Sequence, residues 1–288
     1  MTWRRGRRPH GPRGVVTLLT DFGLDDAYVG TLKGVLLGIN PDVRLVDLTH
    51  TIPPQDVRRA ALLLEAAWQF FPQGTVHLAV VDPGVGTARR PIAVQAGGHY
   101  FVGPDNGLLG FCFDLPGARG VVLANPRYRR RRVSRTFHGR DVFAPAAAHC
   151  SRGGRLTALG PPLRSPVRLP RPEPRRRGAR VDGEVLLVDR FGNLLTSLRG
   201  RELPGPVDRG VLRIGGARLR GLVGTYAERP RHALGAVIDS SGCVEVFVRE
   251  GSARERLGLK PGARVSWRGP RATLPPSRRA RRSRRRRS

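Results

Sequence analysis

Three aspartates stand at or near the ends of apolar segments, where a carboxylate could take part in chemistry. Asp21 follows VVTLLT, Asp82 follows TVHLAVV, and Asp47 lies near the end of VRLVDL. In an open α/β sheet, ligands bind beyond the carboxyl ends of the strands. A carboxylate there can accept hydrogen bonds from ribose hydroxyls, ligate a metal or act as a base. Each of the three can equally serve only to cap a helix or shape a loop.

A glycine-rich turn begins at Asp82 and reads Asp-Pro-Gly-Val-Gly-Thr, with Arg89 and Arg90 shortly after it. It lacks the Lys-Ser/Thr of a phosphate-binding P-loop and the spacing of GxGxxG, so neither kind of nucleotide site is predicted. Its glycines let a ligand approach the backbone closely. A carboxylate and a guanidinium can therefore face one site, although an arginine by itself decides nothing in a chain so rich in them.

Two of the seven histidines stand where chemistry is possible. His138 lies in Thr-Phe-His-Gly-Arg-Asp, just before a predicted helix, and His50 follows the second strand. Asp21, Asp47, His50 and Asp82 could be combined into a metal cluster, but no HExxH or similar spacing supports it. The absence of a GxSxG elbow argues against a serine hydrolase. The remaining histidines are interpreted as structural: His10, His77, His99, His149 and His232.

These residues need a sheet to position them. Dense β-branched and leucine segments predict buried strands at Val15–Thr20, Val43–Leu48 and Thr75–Val81. The first helix is expected to be capped by Asp25 or Asp26 and to end near Ile39, and Asp56 is expected to cap the second. A hairpin and a further helix are predicted at Ile92–Gln95 with Tyr100–Val102, and at Asp141–Ser151. Alternating strands and helices predict an α/β domain with a doubly wound, mostly parallel sheet.

The character of the sequence changes after Gly160. A segment with six prolines, PPLRSPVRLPRPEPRRRG, is typical of a linker, and short alternating segments with frequent turns follow it. They predict a small all-β domain, a barrel or a sandwich. The predicted organisation is a disordered basic leader, an α/β domain, a Pro/Arg-rich linker, a β domain and a disordered Arg-rich tail, at 1–13, 14–162, 163–180, 181–270 and 271–288.

Composition excludes several classes of protein. The chain has 288 residues, of which 39% are hydrophobic, and its dense apolar segments exclude a wholly disordered chain. It has no apolar stretch near the ~18 residues of a transmembrane helix, and its first apolar segment is too short for a signal peptide. The three cysteines lie far apart without a CxxC pair, so neither a disulfide framework nor a zinc site is predicted. We expect a soluble, cytoplasmic protein without membrane contact.

The net charge of +30 suggests nucleic acid until its location is considered. Most of it lies in four arginine-rich segments, at 1–13, 126–135, 164–180 and 271–288, and the rest of the chain is nearly balanced. Such segments can bind polyanions nonspecifically and in a salt-dependent way. No aromatic residues interleave with them to stack on bases. A nucleic-acid function is therefore disfavoured, although specific binding that survived ~200 mM salt would support it.

A set of motifs occurs in an order typical of one enzyme family. They are Thr20-Asp21-Phe22-Gly23, Asp47-Leu48-Thr49-His50, Val81-Asp82-Pro83-Gly84-Val85-Gly86-Thr87 with Arg89, Gly103-Pro104-Asp105-Asn106-Gly107, Thr136-Phe137-His138-Gly139-Arg140-Asp141, Asp189-Arg190-Phe191-Gly192-Asn193 and Ser240-Ser241-Gly242. Across about residues 15–268 the chain resembles the S-adenosyl-L-methionine hydroxide adenosyltransferases, the hydrolase relatives of the fluorinase and chlorinase that act on S-adenosyl-L-methionine (SAM).

The resemblance implies attack of water or hydroxide at C5′ of SAM, giving adenosine and L-methionine, without a metal or other cofactor. By resemblance, Asp82, Arg89 and His138 match the catalytic triad. The matching substrate-binding residues are Asp21 at the ribose, Asp189, Phe191 and Asn193 in the second domain, and, more loosely, Ser240, Glu245 and Val248 at the methionine and adenine ends. The resemblance also implies a homotrimer whose sites lie between subunits.

Departures from the halogenase pattern favour the hydrolase branch. The halogenases carry Tyr where Asp82 stands, a hydroxyl residue where Val85 stands, and Tyr-Ser in place of His138-Gly139. A halide needs no base, and a carboxylate would repel it. Thr196-Ser197 and Cys243 depart from the family pattern in the second domain. The alternatives that remain are a chlorinase-like SAM halogenase and a non-catalytic protein that binds adenosine or SAM.

Overall fold

Residues 14–270 are described by a computed structural model and divide into two units between Pro170 and Arg171. The expectations for the leader at 1–13 and the tail at 271–288 lie outside the described residues. Within the described part, no helix is long and apolar enough to cross a membrane, since the longest has 12 residues and ~20 are needed.

The N-terminal unit is built on one mixed sheet. Its strands are β1 (Val15–Thr20), β2 (Arg44–Thr49), β3 (Val76–Val80), β4 (Pro91–Ala96), β5 (His99–Pro104) and β6 (Arg119–Val122), and its helices are α1 (Tyr28–Ile39), α2 (Val57–Ala67) and α3 (Ala144–Ser151). The strand order is β2-β1-β3-β5-β4-β6. β2, β1, β3 and β5 are parallel, whereas β4 runs antiparallel to both β5 and β6. The predicted mostly parallel α/β sheet and its added hairpin are confirmed.

Apolar side chains cover both faces of this sheet. Leu18 packs in one cluster with Leu32 of α1 and with α3, and the next residue, Leu19, packs in a second cluster with Leu64 of α2. Successive strand residues point to opposite faces, so a strand buried on both sides needs the continuous apolar pattern found in VVTLLT. This arrangement makes the sheet doubly wound.

Two helix starts differ in detail from the sequence prediction. α1 begins at Tyr28 after Ala27, without a side-chain cap, so the prediction that Asp25 or Asp26 caps it was wrong. The Asp56 cap of α2 is confirmed, because its side chain accepts a hydrogen bond from the Arg59 N–H at 2.9 Å. The helix predicted from Asp141 starts earlier, as a π-helical turn at Gly139–Phe143 that leads into α3.

The C-terminal unit is a second, antiparallel sheet. Its strands are β7 (Arg175–Arg177), β8 (Arg180–Val188), β9 (Leu194–Arg199), β10 (Val211–Ile214), β11 (Ala217–Arg220), β12 (Leu234–Ile238), β13 (Cys243–Val248) and β14 (Arg264–Arg268), with one short helix, α4 (Ala253–Leu257). The order is β11-β10-β14-β8-β9-β13-β12, with β7 on β8. A bridge from Val223 to Val237 links the two ends of that order, so the sheet nearly closes into a barrel. The predicted all-β fold is confirmed.

The two edge strands of the N-terminal sheet, β6 and β2, differ in how their outer sides are covered. β6 is covered on its outer side by the segment 161–163: the Val122 N–H donates to the Pro161 carbonyl at 2.9 Å and the Leu163 N–H donates to the Gly120 carbonyl at 2.8 Å. β2 ends the strand order on the other side, where Val46 is 38% exposed.

A buried pair of histidines lies inside the N-terminal sheet. His77 Nε2 is 3.1 Å from His99 Nδ1, and the Thr17 hydroxyl is 2.8 Å from His77 Nδ1. The His77 ring stacks on Phe101 with 4.9 Å between ring centroids. Burial lowers the pKa of His77 to about 3, with His99 adding to the effect, and burial lowers the pKa of His99 to about 4. Both rings are therefore neutral packing elements, as the sequence interpretation held.

This pair predicts a loss of stability in mild acid. In the unfolded chain a histidine binds a proton below pH ~6.5, but the folded pair resists protonation until pH 3–4. The contribution of the pair to the free energy of unfolding is fully present above pH 6.5 and is lost as the pH falls. At pH 5 the loss is about 2 kcal/mol for each histidine. The lowered pKa values of His138 and His149 add in the same direction.

Denaturant unfolding at pH 7.5 and 5.0, followed by tryptophan fluorescence, measures this loss. His77→Gln is expected to make the fall with pH shallower, whereas the exposed His232→Gln is the matched control and keeps the wild-type fall. Equal falls in the wild type and His77→Gln would contradict the assignment.

Candidate active site

The two candidate carboxylates of the N-terminal unit follow adjacent parallel strands. Asp21 comes directly after β1, and Asp82 comes two residues after the end of β3. Because parallel strands end at the same edge of a sheet, both residues stand at the edge where open α/β sheets bind ligands. The Asp21 side chain accepts a hydrogen bond from the Gln55 N–H at 2.8 Å. Asp47 lies within β2.

Arg89 joins the other two members of the predicted triad. Its Nε donates to Asp82 Oδ1 at 2.8 Å, its Nη2 contacts Asp82 Oδ2, and the same Nη2 lies 2.8 Å from His138 Nδ1. The side chains of Arg89 and Asp82 are 9% and 7% exposed. The guanidinium also lies 5.1 Å from the centre of the Phe143 ring. The structure thus brings Asp82, Arg89 and His138 into one contact network.

The protonation of His138 follows from this contact. A guanidinium can only donate, so Nδ1 of His138 must accept, and in the neutral ring the proton is then on Nε2. Burial lowers the pKa of His138, and the charge of Arg89 lowers it further against the opposing effect of Asp82. The imidazole is therefore neutral near pH 7 and presents Nε2–H as a donor. Two lone-pair sites remain on the Asp82 carboxylate after the bidentate contact.

Arg89 retains one donor for a ligand. Its Nη1 is buried and has no hydrogen-bond acceptor among the residues that the structure describes. A buried guanidinium N–H without an acceptor costs free energy, so it suits an oxygen supplied by water or substrate. A carboxylate, a neutral imidazole and an unfilled guanidinium donor can together orient and polarise a water molecule.

Glycines shape the turn that carries Asp82. Gly86 has φ +81°, and a Cβ added to it would lie 2.7 Å from the Arg135 carbonyl oxygen. The turn therefore packs directly on the backbone that leads to His138, which no larger residue permits without movement. The glycine pattern seen in the sequence thus sets the distance between two parts of the network.

A separate polar chain begins at Thr20. The Thr20 hydroxyl lies 2.8 Å from His50 Nδ1, His50 Nε2 lies 3.0 Å from an Asp47 oxygen, and Lys33 donates to the other Asp47 oxygen at 2.6 Å. Burial opposes the ionised form of Asp47, but Lys33 and His50 outweigh it and lower the pKa of this carboxyl. His50 Nδ1 is therefore hydrogen-bonded in this chain, whereas Nε2 lies close to Asp47 without forming a hydrogen bond. In the described residues, no group of three or more His, Cys, Asp or Glu is placed to hold a metal.

Sequence reasoning missed the aromatic surroundings of this site. The rings of Phe22, Tyr28 and Phe137 pack on one another with centroid distances between 5.2 and 6.0 Å, and Arg140 lies 5.1 Å from the Phe137 ring. Phe22 and Phe137 belong to two of the family motifs, so the sequence offered a signal for both. Tyr28 and Phe143 carried no such signal.

Asp189 organises the candidate residues of the C-terminal unit. One of its carboxylate oxygens accepts from the N–H groups of Phe191 and Asn193, at 2.9 and 2.8 Å, and the other accepts from the Asn193 side chain at 3.1 Å. Gly192 has φ +82°, and an added Cβ would lie 2.2 Å from the Ser252 hydroxyl. The turn between β8 and β9 is therefore fixed from both sides, and the Phe191 ring is left 75% exposed.

A cavity of about 760 Å³ adjoins this turn within the C-terminal unit. Four predicted residues line it: Asp189, Phe191, Asn193 and Val248. Tyr226 and Phe247 also line it, and their rings meet edge to face at 4.8 Å. Aromatic and apolar walls with a few fixed polar groups are typical of small-molecule sites.

Glu245 reaches this cavity through Tyr226. It is 5% exposed and accepts a hydrogen bond from the Tyr226 hydroxyl at 2.7 Å. Burial raises the pKa of Glu245, and Asp189 and Asp239 add to the rise against the effect of Tyr226. Burial and the contact with Glu245 raise the pKa of Tyr226 to about 12. Tyr226 follows β11 in a region without a recognisable motif, so the sequence did not single it out.

Ser240 stands apart from the other predicted binding residues of its unit. It is exposed, in the turn 239–242 that joins β12 to β13, and it does not line the cavity. Val248 lies at the opposite end of β13. The structure therefore groups Asp189, Phe191, Asn193 and Val248, reaches Glu245 through Tyr226, and leaves Ser240 outside this group.

Two domain families match almost the whole described chain. Residues 16–160 match the SAM hydroxide adenosyltransferase N-terminal domain, and residues 183–266 match the corresponding C-terminal domain. The chain belongs to the SAM hydroxide adenosyltransferase family. The resemblance inferred from the motifs is thereby confirmed, and the two matched ranges fall in the two units of this SAM hydroxide adenosyltransferase.

Curated relatives cover most of the chain. A protein from Thermus thermophilus, named (R)-S-adenosyl-L-methionine hydrolase, is 46% identical over 260 residues, which are 87% of this chain and 98% of the relative. A protein of the same name from Salinispora tropica is 43% identical, over 88% of this chain and 97% of its own. A fluorinase from an Actinoplanes species is 27% identical over 68% of this chain and 75% of its own. This fluorinase is thus a more distant relative than these two hydrolases.

Solved structures support the same fold. One, described as an uncharacterized conserved protein from Thermotoga maritima, is 35% identical with a TM-score of 0.82 and covers 88% of this chain and 99% of its own. A second, a conserved hypothetical protein from Thermus thermophilus, is 44% identical with a TM-score of 0.72 and covers 89% and 99%.

Proposed function

We propose that this SAM hydroxide adenosyltransferase hydrolyses S-adenosyl-L-methionine at C5′, giving adenosine and L-methionine. The observation that carries the proposal is the contact network of Asp82, Arg89 and His138 at the ligand-binding edge of the sheet. The names of the relatives with more than 40% identity, which cover nearly their whole length, point to the same reaction.

The proposed step is a substitution by water. The water oxygen forms a bond to C5′ while the C5′–S bond breaks, and the bonding electron pair goes to sulfur. The sulfonium becomes a neutral thioether, so the leaving group needs no acid. The water needs help, because its unassisted pKa is ~15.7. Its proton passes to Asp82 and from there to solvent.

The other two residues hold the water oxygen. His138 donates from Nε2 and Arg89 donates from Nη1, so both stabilise negative charge as it develops on the oxygen. Arg89 also fixes the Asp82 carboxylate in place through its two-point contact. The positive charge of Arg89 partly offsets the repulsion that a halide would meet at Asp82. Hydrolysis and halogenation therefore have to be distinguished by their products.

The proposed substrate contacts come from both units. Asp21 accepts hydrogen bonds from the ribose hydroxyls, and the exposed Phe191 ring is available to stack on a purine. Asp189 and Asn193 shape the turn that presents it. By resemblance, Val248, Glu245 and Ser240 surround the adenine and methionine ends.

Asp21→Ala is expected to raise KM by roughly 10- to 100-fold while kcat stays within about threefold, because the carboxylate binds ribose in the ground state and the transition state alike. Initial rates across SAM concentrations measure both constants. Asp25→Ala removes an exposed charge nearby and is the matched control. A fall in kcat at an unchanged KM would place Asp21 in the chemical step instead.

The test of the reaction is chromatography of the purified protein incubated with SAM, with and without chloride and with and without EDTA. Adenosine and methionine in all four conditions support hydrolysis without a metal. 5′-Chloro-5′-deoxyadenosine that depends on chloride would make the chain a halogenase. Saturable SAM binding without any product would make it a binding protein. Since the relatives' names specify (R), the assay is run on both sulfonium epimers, and we expect faster turnover of the (R) epimer.

We further propose a cytoplasmic homotrimer in which the N-terminal domain of one subunit and the C-terminal domain of its neighbour complete each site. Only the family resemblance implies this assembly. Light scattering coupled to size-exclusion chromatography gives the subunit number. Co-refolding of Asp82→Asn with Asn193→Ala then tests the shared site, because mixed oligomers should recover activity that neither variant has alone.

A further inference from the structure

A second cavity of the N-terminal unit is lined by cationic groups. It has a volume of about 480 Å³. Its lining residues include four arginines, one histidine and one tyrosine: Arg127, Arg129, Arg130, Arg152, His149 and Tyr128. No carboxylate lines it in the described part of the chain. A smaller cavity of about 430 Å³ shares Arg130 with it and is lined by Arg131 and Arg132 as well.

Little of this charge is neutralised by the protein. Arg130 lies 3.6 Å from an Asp141 oxygen, but Asp141 is already held by Arg140 at 2.7 Å. In the residues that the structure describes, no carboxylate pairs with Arg127, Arg129 or Arg152. Guanidinium groups gathered in a concavity repel one another, so an anion that pairs with several of them at once is favoured.

One of these arginines has a buried donor without an acceptor. Arg129 Nε is buried and finds no hydrogen-bond partner within residues 14–270, although Nη2 of the same side chain contacts the Leu123 carbonyl. Burial lowers the pKa of Arg129, which reflects the cost of removing its charge from water. An anion in the cavity would offset that cost by pairing with the Arg129 charge.

The walls of the cavity are held in place before any ligand arrives. The Arg152 side chain donates to the Ile39 carbonyl at 3.3 Å, and the Tyr128 ring packs on His149 with 4.1 Å between centroids. A Cβ added to Gly154 would lie 2.1 Å from His149 Nε2, so a larger residue there would displace the His149 ring. Such preorganisation lowers the entropic cost of binding.

We propose that this cavity binds a small molecule that carries clustered phosphoryl groups, such as a di- or triphosphate. Four guanidinium groups suit a ligand with several anionic oxygens better than they suit a ligand with a single carboxylate. Each guanidinium can form charge-assisted hydrogen bonds to phosphoryl oxygens. The volume lies within the range of small-molecule sites. A nucleic-acid strand fits less well, because the aromatic ring at the cavity, Tyr128, already packs on His149 and is not free to stack on bases.

The test is calorimetric titration of the full chain with tripolyphosphate at 50 and 200 mM NaCl. Arg127→Gln/Arg152→Gln removes two cavity charges, and Arg284→Gln/Arg285→Gln removes the same charge from the tail. We expect saturable binding of one equivalent that weakens at least about tenfold in the cavity variant and stays within twofold in the tail variant. Equal losses in both variants, or no loss in either, would overturn the proposal.

A second measurement keeps the test decisive if the cavity variant does not fold. Burial lowers the pKa of His149, and the charges of Arg152 and Arg127 lower it further, against the effect of the Arg155 carbonyl. A bound anion should therefore raise it. NMR titration of the wild-type histidine rings should show the His149 pKa moving upward with tripolyphosphate and an unmoved His232. An unmoved His149 at saturation would reject the site. A competitor tests the nucleic-acid alternative: an oligodeoxynucleotide with the same number of phosphates as tripolyphosphate. If it binds more tightly and displaces tripolyphosphate from His149, the cavity binds a nucleic-acid backbone and the small-molecule assignment is overturned.

Discussion

Asp82→Asn is expected to lower kcat by about 10³-fold while KM for SAM changes by less than about threefold. The amide keeps the size of the carboxylate and one acceptor oxygen, but it cannot take a proton from water. The substitution also removes the counter-charge of Arg89, whose side chain is only 9% exposed. The Arg89 guanidinium is then held less firmly against His138. Steady-state rates of adenosine formation measure the effect.

The matched control for Asp82 is Asp105. Asp105 is 5% exposed and accepts from Arg90 Nε at 2.8 Å, in an Arg–Asp ion pair that does not include His138. Asp82→Asn leaves a buried guanidinium without its partner, which costs about 3–5 kcal/mol of unfolding free energy. Asp105→Asn should cost less, because the Arg90 side chain is 36% exposed. Only Asp82→Asn should lower kcat by about 10³-fold. An Asp82→Asn enzyme with at least half of the wild-type kcat would falsify the proposed mechanism.

Gly86→Ala is expected to lower kcat by about 10²-fold. The added Cβ would meet the Arg135 carbonyl oxygen at 2.7 Å, and this neighbour is backbone that cannot rotate away. The turn that carries Asp82 and the segment that carries His138 must therefore separate. The water that both residues hold loses its alignment with the C5′–S bond.

Gly117→Ala separates backbone strain from this displacement. Gly117 has φ +70°, close to the +81° of Gly86, but an added Cβ would meet nothing within 4 Å. Both variants therefore bear a left-handed cost of about 1 kcal/mol, and only Gly86→Ala moves the turn. Similar kcat values for the two variants would show that the packing of Gly86 on Arg135 does not matter for catalysis.

The fold and the members of the network were predictable where local rules suffice. Strand ends follow from apolar segments that stop at Asp21 and near Asp82, and the Asp56 cap follows from the position of an acid before a helical pattern. The start of α1 was not predictable in this way. Asp25 and Asp26 were available as caps, but the helix begins at Tyr28, whose ring packs on Phe22 and Phe137. The helix boundary coincides with this tertiary contact, and such contacts are not visible in local spacing.

The arrangement inside the site was equally beyond the sequence. The motifs named Asp82, Arg89 and His138, but they could not show that Arg89 lies between the other two and fixes the tautomer of the imidazole. Tyr226 was missed because its partner, Glu245, lies 19 residues along the chain on another element. Ser240 belongs to a motif of the family but does not line the cavity that Val248 lines. Such pairings depend on strand register, which residue types alone do not specify.

The contrast between the two outer strands of the N-terminal sheet bears on how this protein behaves in concentrated solution. Pro161 and Pro162 cover β6, and a proline cannot donate a hydrogen bond to a further strand. β2 has no such cover in the described chain, but it carries Arg44 and the ion-paired Asp47. Charged side chains on an outer strand discourage other chains from pairing with it. Aggregation by strand pairing should therefore begin at β2. Replacing Arg44 and Asp47 with neutral residues should make it faster.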